Sequence, residues 1–316
     1  MTIRQSPKSI GNRSYLLAFA TSAPSPIDTV RLLMIAIAID GLGESMPYRR
    51  AWLFIVALIA ATLFAFWRSY FGIFARAPSG FHIHGLTASL WMLLLLAQSW
   101  TVDRRQFGAH RIVGKATFVA IPLFGAGAMG VIYSMAASTV GGDPFYALWG
   151  ARLGFLDLLA FGAVLYAAGM ALRHRRNVRL HAGYMLSTAL PLVSPVLGRV
   201  INQTVPGLTI RGPQDFPLFG PGVQLANLIA AGFALWLWRT NQSAGRPWAV
   251  ALGVVVVQIV SFETLATGSA WGRLFVAIGS LPLTVFLAFG LIAGATTVLI
   301  GWNVHAGRRV AQPATA

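Results

Sequence analysis

Residues 274–302 read LFVAIGSLPLTVFLAFGLIAGATTVLIGW, an apolar run with no charged side chain. A helix needs roughly 20 residues to cross a hydrocarbon core about 30 Å thick, so this stretch is long enough to span. Similar runs recur at Ala51–Trp67, Leu86–Trp100, Ile112–Ala137 and Ala249–Phe262. The chain is 56% hydrophobic and 10% charged, with a mean hydropathy of +0.68. A soluble chain carries roughly 25% charged residues. One water-soluble core of this size could hardly bury so large an excess, which points to lipid. The runs lack strict alternation, so they read as helices and not as strands of a barrel.

Spans are expected near 51–75, 84–102, 111–136, 147–172, 181–202, 222–239, 247–266 and 274–302. The predicted fold is therefore all-α, a polytopic bundle of about eight transmembrane helices over residues 49–305. Residues 1–48 read as a cytoplasmic tail without a signal-peptide pattern, and residues 306–316 as a second cytoplasmic tail. Met46, followed by Pro47-Tyr48-Arg49-Arg50, is an alternative start at the entry to the first span. The loop between Asn202 and Gly222 holds four prolines and reads as an ordered excursion.

The net charge of +16 is a topology signal and not a nucleic-acid footprint. If Arg49 and Arg50 mark side B, the eight spans put 18 of the 24 basic residues there and 6 on the opposite side A. The positive-inside rule then predicts cytoplasmic N and C termini in a bacterial inner membrane. The Arg-heavy, Ala- and Gly-rich composition fits a high-GC bacterial genome. With no cysteine, disulfides and thiolate metal centres are excluded. Gly125-Ala126-Gly127-Ala128-Met129-Gly130 imitates a dinucleotide fingerprint, but it lies inside a span, where the strand-to-helix turn is missing.

Chemistry concentrates on histidines. His110 opens the third span and His181 the fifth, both from side B, so both imidazoles are expected at similar depth. Two imidazoles on different helices are a ligand set for one heme b iron, with Arg111 and Lys115 placed for the propionates. Gly114, Gly125, Gly127 and Gly183 are available where a macrocycle would press on backbone. The competing reading is interfacial packing against lipid headgroups. On side A, His82 and His84 cannot share a helix face. His84 heads a stripe with Trp91 and Gln98 directed at the bundle, and reads either as packing or as a proton-handling group in a side-A pocket. Asp157 and Glu263 are intramembrane carboxylates. They are expected to pair with Arg68 or Arg152, and with Arg273, respectively. Gln98, Asn227 and Gln258 read as interhelical hydrogen bonds.

The strings Phe81-His82-Ile83-His84-Gly85, His110-Arg111-Ile112-Val113-Gly114 and His181-Ala182-Gly183-Tyr184-Met185, with Arg199 beyond, resemble a family of uncharacterised bacterial polytopic membrane proteins over residues 50–200. The His110 and His181 placement is more distantly similar to transmembrane b-type cytochromes. That likeness implies electron transfer, with quinone or a redox partner subunit as counterpart. A second histidine pair, common in such proteins, is missing here. The reading of another class is a non-enzymatic accessory subunit or a small-solute, proton-coupled carrier.

Overall fold

The computed structural model describes residues 47–303. The expected tails and His305 lie largely or wholly outside them. The described residues form helices joined by turns, with no strand. The helices are α1 Ala51–Phe66, α2 Ser79–Asp103, α3 Phe107–Gly114, α4 Thr117–Val140, α5 Pro144–Arg173 and α6 Val178–Ser187. They continue with α7 Leu190–Thr204, α8 Phe219–Thr240, α9 Arg246–Glu263, α10 Ser269–Ser280 and α11 Leu283–Asn303. Seven segments are long and apolar enough to cross a membrane, among them Val178–Thr204, which joins α6 to α7. The eighth apolar helix, α1, is shorter.

Four expected spans are interrupted. At 1.5 Å per residue α1 reaches about 24 Å; beyond it the chain turns at Trp67 and winds into a 3₁₀ segment, Phe71–Arg76. The run at 274–302 breaks at Leu281, which is extended (φ −93°, ψ 165°) because it precedes Pro282. The fifth span pauses at Thr188–Ala189, where Pro191 cannot return a backbone hydrogen bond to Ser187. The third span is likewise two pieces, so His110 sits on the separate helix α3 and not on the first turn of α4.

Helix α4 is the axle of the bundle. Its glycines let neighbours approach backbone to backbone. A Cβ on Gly290 of α11 would strike the Gly125 carbonyl, and one on Gly125 would strike the Gly290 carbonyl. Such small-residue contacts are the usual means of packing helices in lipid. Trp91 of α2, 1% exposed, donates its indole N–H to Thr188 Oγ1 at 3.1 Å and thereby holds the interrupted fifth span. Trp91→Phe should lower stability by about 1 kcal/mol, the usual contribution of one hydrogen bond; thermal unfolding in detergent reads this.

Contacts at the helix ends fix which ends lie together. Arg49 pairs with Asp103 at 3.1 Å, joining the start of α1 to the end of α2. Trp248 donates to the Tyr48 hydroxyl at 2.9 Å, adding the start of α9. Arg175 donates to the Trp302 carbonyl at 3.1 Å and stacks on its ring, tying the end of α5 to the end of α11. Trp52 and Trp100 meet edge to face at 4.8 Å, with Arg104 over Trp100. This Trp–Arg cluster has the makeup of a membrane-interface belt on side B. On the outer surface Leu86, Leu90, Leu93, Leu228, Ile292 and Leu299 are exposed, as lipid-facing side chains should be.

Candidate functional site

At side B the chain brings His110 and His181 together. Their ring centroids are 6.5 Å apart and their planes cross at 88°. His110 is held from α2, where Gln98 Nε2 donates to the His110 carbonyl at 3.2 Å. His181 lies on α6, started by Asn177, whose side chain accepts from the Leu180 N–H at 3.1 Å. A 2.9 Å hydrogen bond joins His181 Nδ1 to the Ala171 carbonyl of α5. That bond makes Nδ1 the protonated nitrogen and leaves Nε2 with its lone pair. The buried Nδ1 of His110 has no partner among the described residues. Burial pushes the His110 imidazole below its usual pKa, against a smaller upward pull from the Gln98 backbone. The neutral ring is the form that ligates metal.

Metal–imidazole nitrogen bonds are about 2.0–2.1 Å long, so two imidazoles on one metal have centroids roughly 6.5 Å apart. The observed separation matches. Fixing one ring by Nδ1–H to a backbone carbonyl is also the usual support of a ligating histidine. Among the described residues no three His, Asp or Glu side chains gather into a metal-binding group. His110 and His181 stand there as a pair of imidazoles.

The expected surroundings are only partly there. Arg111 and Lys115 are exposed near His110. Gly125 is used against Gly290, Gly127 against His84 and Thr87, and Gly183 against Pro247. These three serve helix packing and not a macrocycle. Only Gly114 is without a tight neighbour, Gln98 lying 3.7 Å from where its Cβ would stand.

At side A the two histidines diverge as the helix period requires. His82 meets the Tyr70 hydroxyl at 2.8 Å, outside the core. His84 turns inward to α4, and its buried Nδ1 has no partner among the described residues. Tyr146, at the start of α5, is stacked on Phe81 at 5.8 Å. Arg199 is the hub, within electrostatic reach of His84, Tyr146 and Asp157. It donates to the Pro195 carbonyl at 3.1 Å and lies 4.2 Å above the Phe66 ring.

The carboxylate partners differ from expectation. Asp157 faces Arg199, neither Arg68 nor Arg152. Arg68 is exposed, and Arg152, five residues before Asp157, projects from another side of α5. Arg152 instead pairs with Glu263 at 3.1 Å, displacing the expected Arg273, which is exposed on α10. Glu263 is itself about half exposed, so the pair is a surface clasp between α5 and α9. Glu263→Gln should change stability by less than about 1 kcal/mol, as exposed ion pairs do; a larger fall in Tm would contradict this.

The intramembrane amides join helices as read. Gln258 donates to the Leu156 carbonyl at 3.0 Å, and Asn227 accepts from Ser194. Arg199 and Tyr146 are the site residues that sequence reasoning missed. The available signal was Arg199 itself, a charged residue at the far end of the expected fifth span. Compared with known protein families, curated proteins and solved structures, the chain matches none.

Proposed function

We propose that this integral membrane protein binds one heme b through His110 and His181 at its cytoplasmic end and exchanges electrons with a quinone or a redox partner subunit. The observation that carries the reading is the 6.5 Å separation of the two imidazoles, on helices that no local sequence constraint brings together. Support comes from the Ala171 carbonyl, which leaves Nε2 of His181 for a metal, and from the buried His110 Nδ1, which has no hydrogen-bond partner among the described residues. Bound there, heme would supply one-electron chemistry. The protein's own part is to hold both rings in register from α3 and α6, exclude water around them, and present Arg111 and Lys115 to the propionates. The cytoplasmic placement rests on the 18-to-6 division of basic residues.

The test is a reduced-minus-oxidised spectrum of full-length protein purified from heme-replete cells. The reading expects one b-type alpha band with its Soret partner, at about one heme per chain. Colourless, well-folded protein that takes up no added hemin would contradict it.

A further inference from the structure

The break in the fifth span shapes a cleft. The chain turns at Thr188–Ala189, and Ser187 and Pro191 on either side of the turn floor a space between α5 and α9. Ala163 and Ala167 of α5 line one wall, and Ala251, Val254 and Gln258 of α9 line the other. The cleft measures about 350 Å³ out to its open mouth. Beside these lining residues Gly162 and Tyr166 of α5 and Val257 of α9 are exposed, all within spans, so the mouth opens to lipid. Ala167 and Gln258 lie roughly 9 Å and 18 Å from the side-B ends of their helices, which places the cleft in the hydrocarbon.

The side-B end of the cleft is shut. The Tyr48 hydroxyl accepts the Trp248 indole N–H at 2.9 Å and stands 3.5 Å from where a Cβ on Gly183 would be. Pro247, which also lines the cleft, presses on the same glycine. A ligand therefore enters from the bilayer and must be lipid-soluble.

No charged side chain lines the cleft, but Tyr184, Ser187 and Gln258 do. Gln258 is 6% exposed, and its Nε2 gives one hydrogen to the Leu156 carbonyl at 3.0 Å. Its Oε1 accepts from no described residue. Ser187 Oγ donates to the Tyr184 carbonyl at 2.9 Å and keeps its own lone pairs. A buried amide oxygen without a partner is costly, and the cleft is where a partner can reach it.

We infer that this cleft binds the ring of a lipid-soluble quinone or its quinol. A plain acyl chain would leave Gln258 unpartnered, and a fatty acid would bring a charge to walls that hold no counter-charge. An amide both donates and accepts, so Gln258 suits a quinone carbonyl and a quinol hydroxyl alike. Ser187 offers its oxygen from the other side of the cleft, toward the far end of such a ring. The alanines on both walls leave width for a flat molecule. Tyr184 lies one turn beyond His181 on α6, so the ring would sit beside the imidazole pair. Electron exchange with heme rests on the reading above; binding of the ring does not.

The experiment is thermal unfolding of full-length protein in detergent with a decyl-substituted benzoquinone, its quinol, or decanol. Quinone and quinol should raise Tm saturably, whereas decanol, a chain without a ring, should not. Ala163→Leu, which fills the cleft, should abolish the shift. Gln258→Leu should weaken binding about tenfold. Leu228→Ala, on the lipid face of α8, should leave binding unchanged. On the unmodified protein a photoreactive azidoquinone should label α5, α6 or α9, a result that depends on no variant folding. No quinone shift, an equal shift with decanol, a full shift in folded Ala163→Leu, or labelling confined to other helices would each overturn the inference. A saturable quinone shift in colourless protein would support the cleft while rejecting heme, and pigmented protein without one would do the reverse.

Discussion

Alanine at His110 or at His181 is expected to abolish the heme spectrum, each substitution alone removing nearly all stoichiometric pigment. On the proposed reading the two rings, 6.5 Å apart, hold one iron between them, so neither can replace the other. The affected chemistry is local: His110 is on α3 and His181 on α6, and neither belongs to the α4–α11 packing that builds the bundle. The variants should therefore remain folded, with thermal transitions close to the parent without heme. His82→Ala, which removes the contacts with Tyr70 and Phe74, should keep the full spectrum. Pigment retained in both His110→Ala and His181→Ala would move the ligands elsewhere.

The second large effect concerns the fold itself. Gly290→Leu should prevent recovery of a monodisperse protein, because the added side chain would enter the Gly125 backbone, which cannot rotate away. Even Gly290→Ala should cost about 3 kcal/mol, the upper end of ordinary overpacking, since the obstacle is main chain and not a side-chain tip. An alanine at Gly253, where a Cβ would meet nothing within 4 Å, is the matched control and should be nearly neutral. Size-exclusion profiles and Tm values in detergent measure both.

These expectations separate what sequence can say from what it cannot. Long apolar runs made the all-α membrane bundle legible, because lipid imposes a length rule on each segment independently. The interruptions were less visible. Pro282 sits inside a run whose hydropathy is uninterrupted, and hydropathy is blind to the hydrogen bond and the backbone angle that proline removes. The end of α1 at Phe66 was hidden in the same way, since Phe71 and Phe74 prolong the apolar signal through a turn. His110 and His181 were legible as a pair because both begin segments on one side of the membrane. The Asp157–Arg199 relation was not, for it depends on the rotation of α5 and α7 about their axes. That rotation shows only in contacts distant in sequence, such as that of Gly154 with Phe275. The same dependence explains why Gly125 and Gly127 serve helix packing: a glycine's role follows from which neighbour arrives, and α11 and α2 arrive there.

Low-temperature electron paramagnetic resonance of the oxidised, heme-loaded protein addresses the central claim most directly. Two imidazoles on one ferric iron give a low-spin centre, and planes crossed at 88° give the strongly anisotropic form of that signal, with its largest g-value shifted well up. That signal in the parent is the predicted result. A high-spin signal, showing an iron without both imidazoles, would contradict the account.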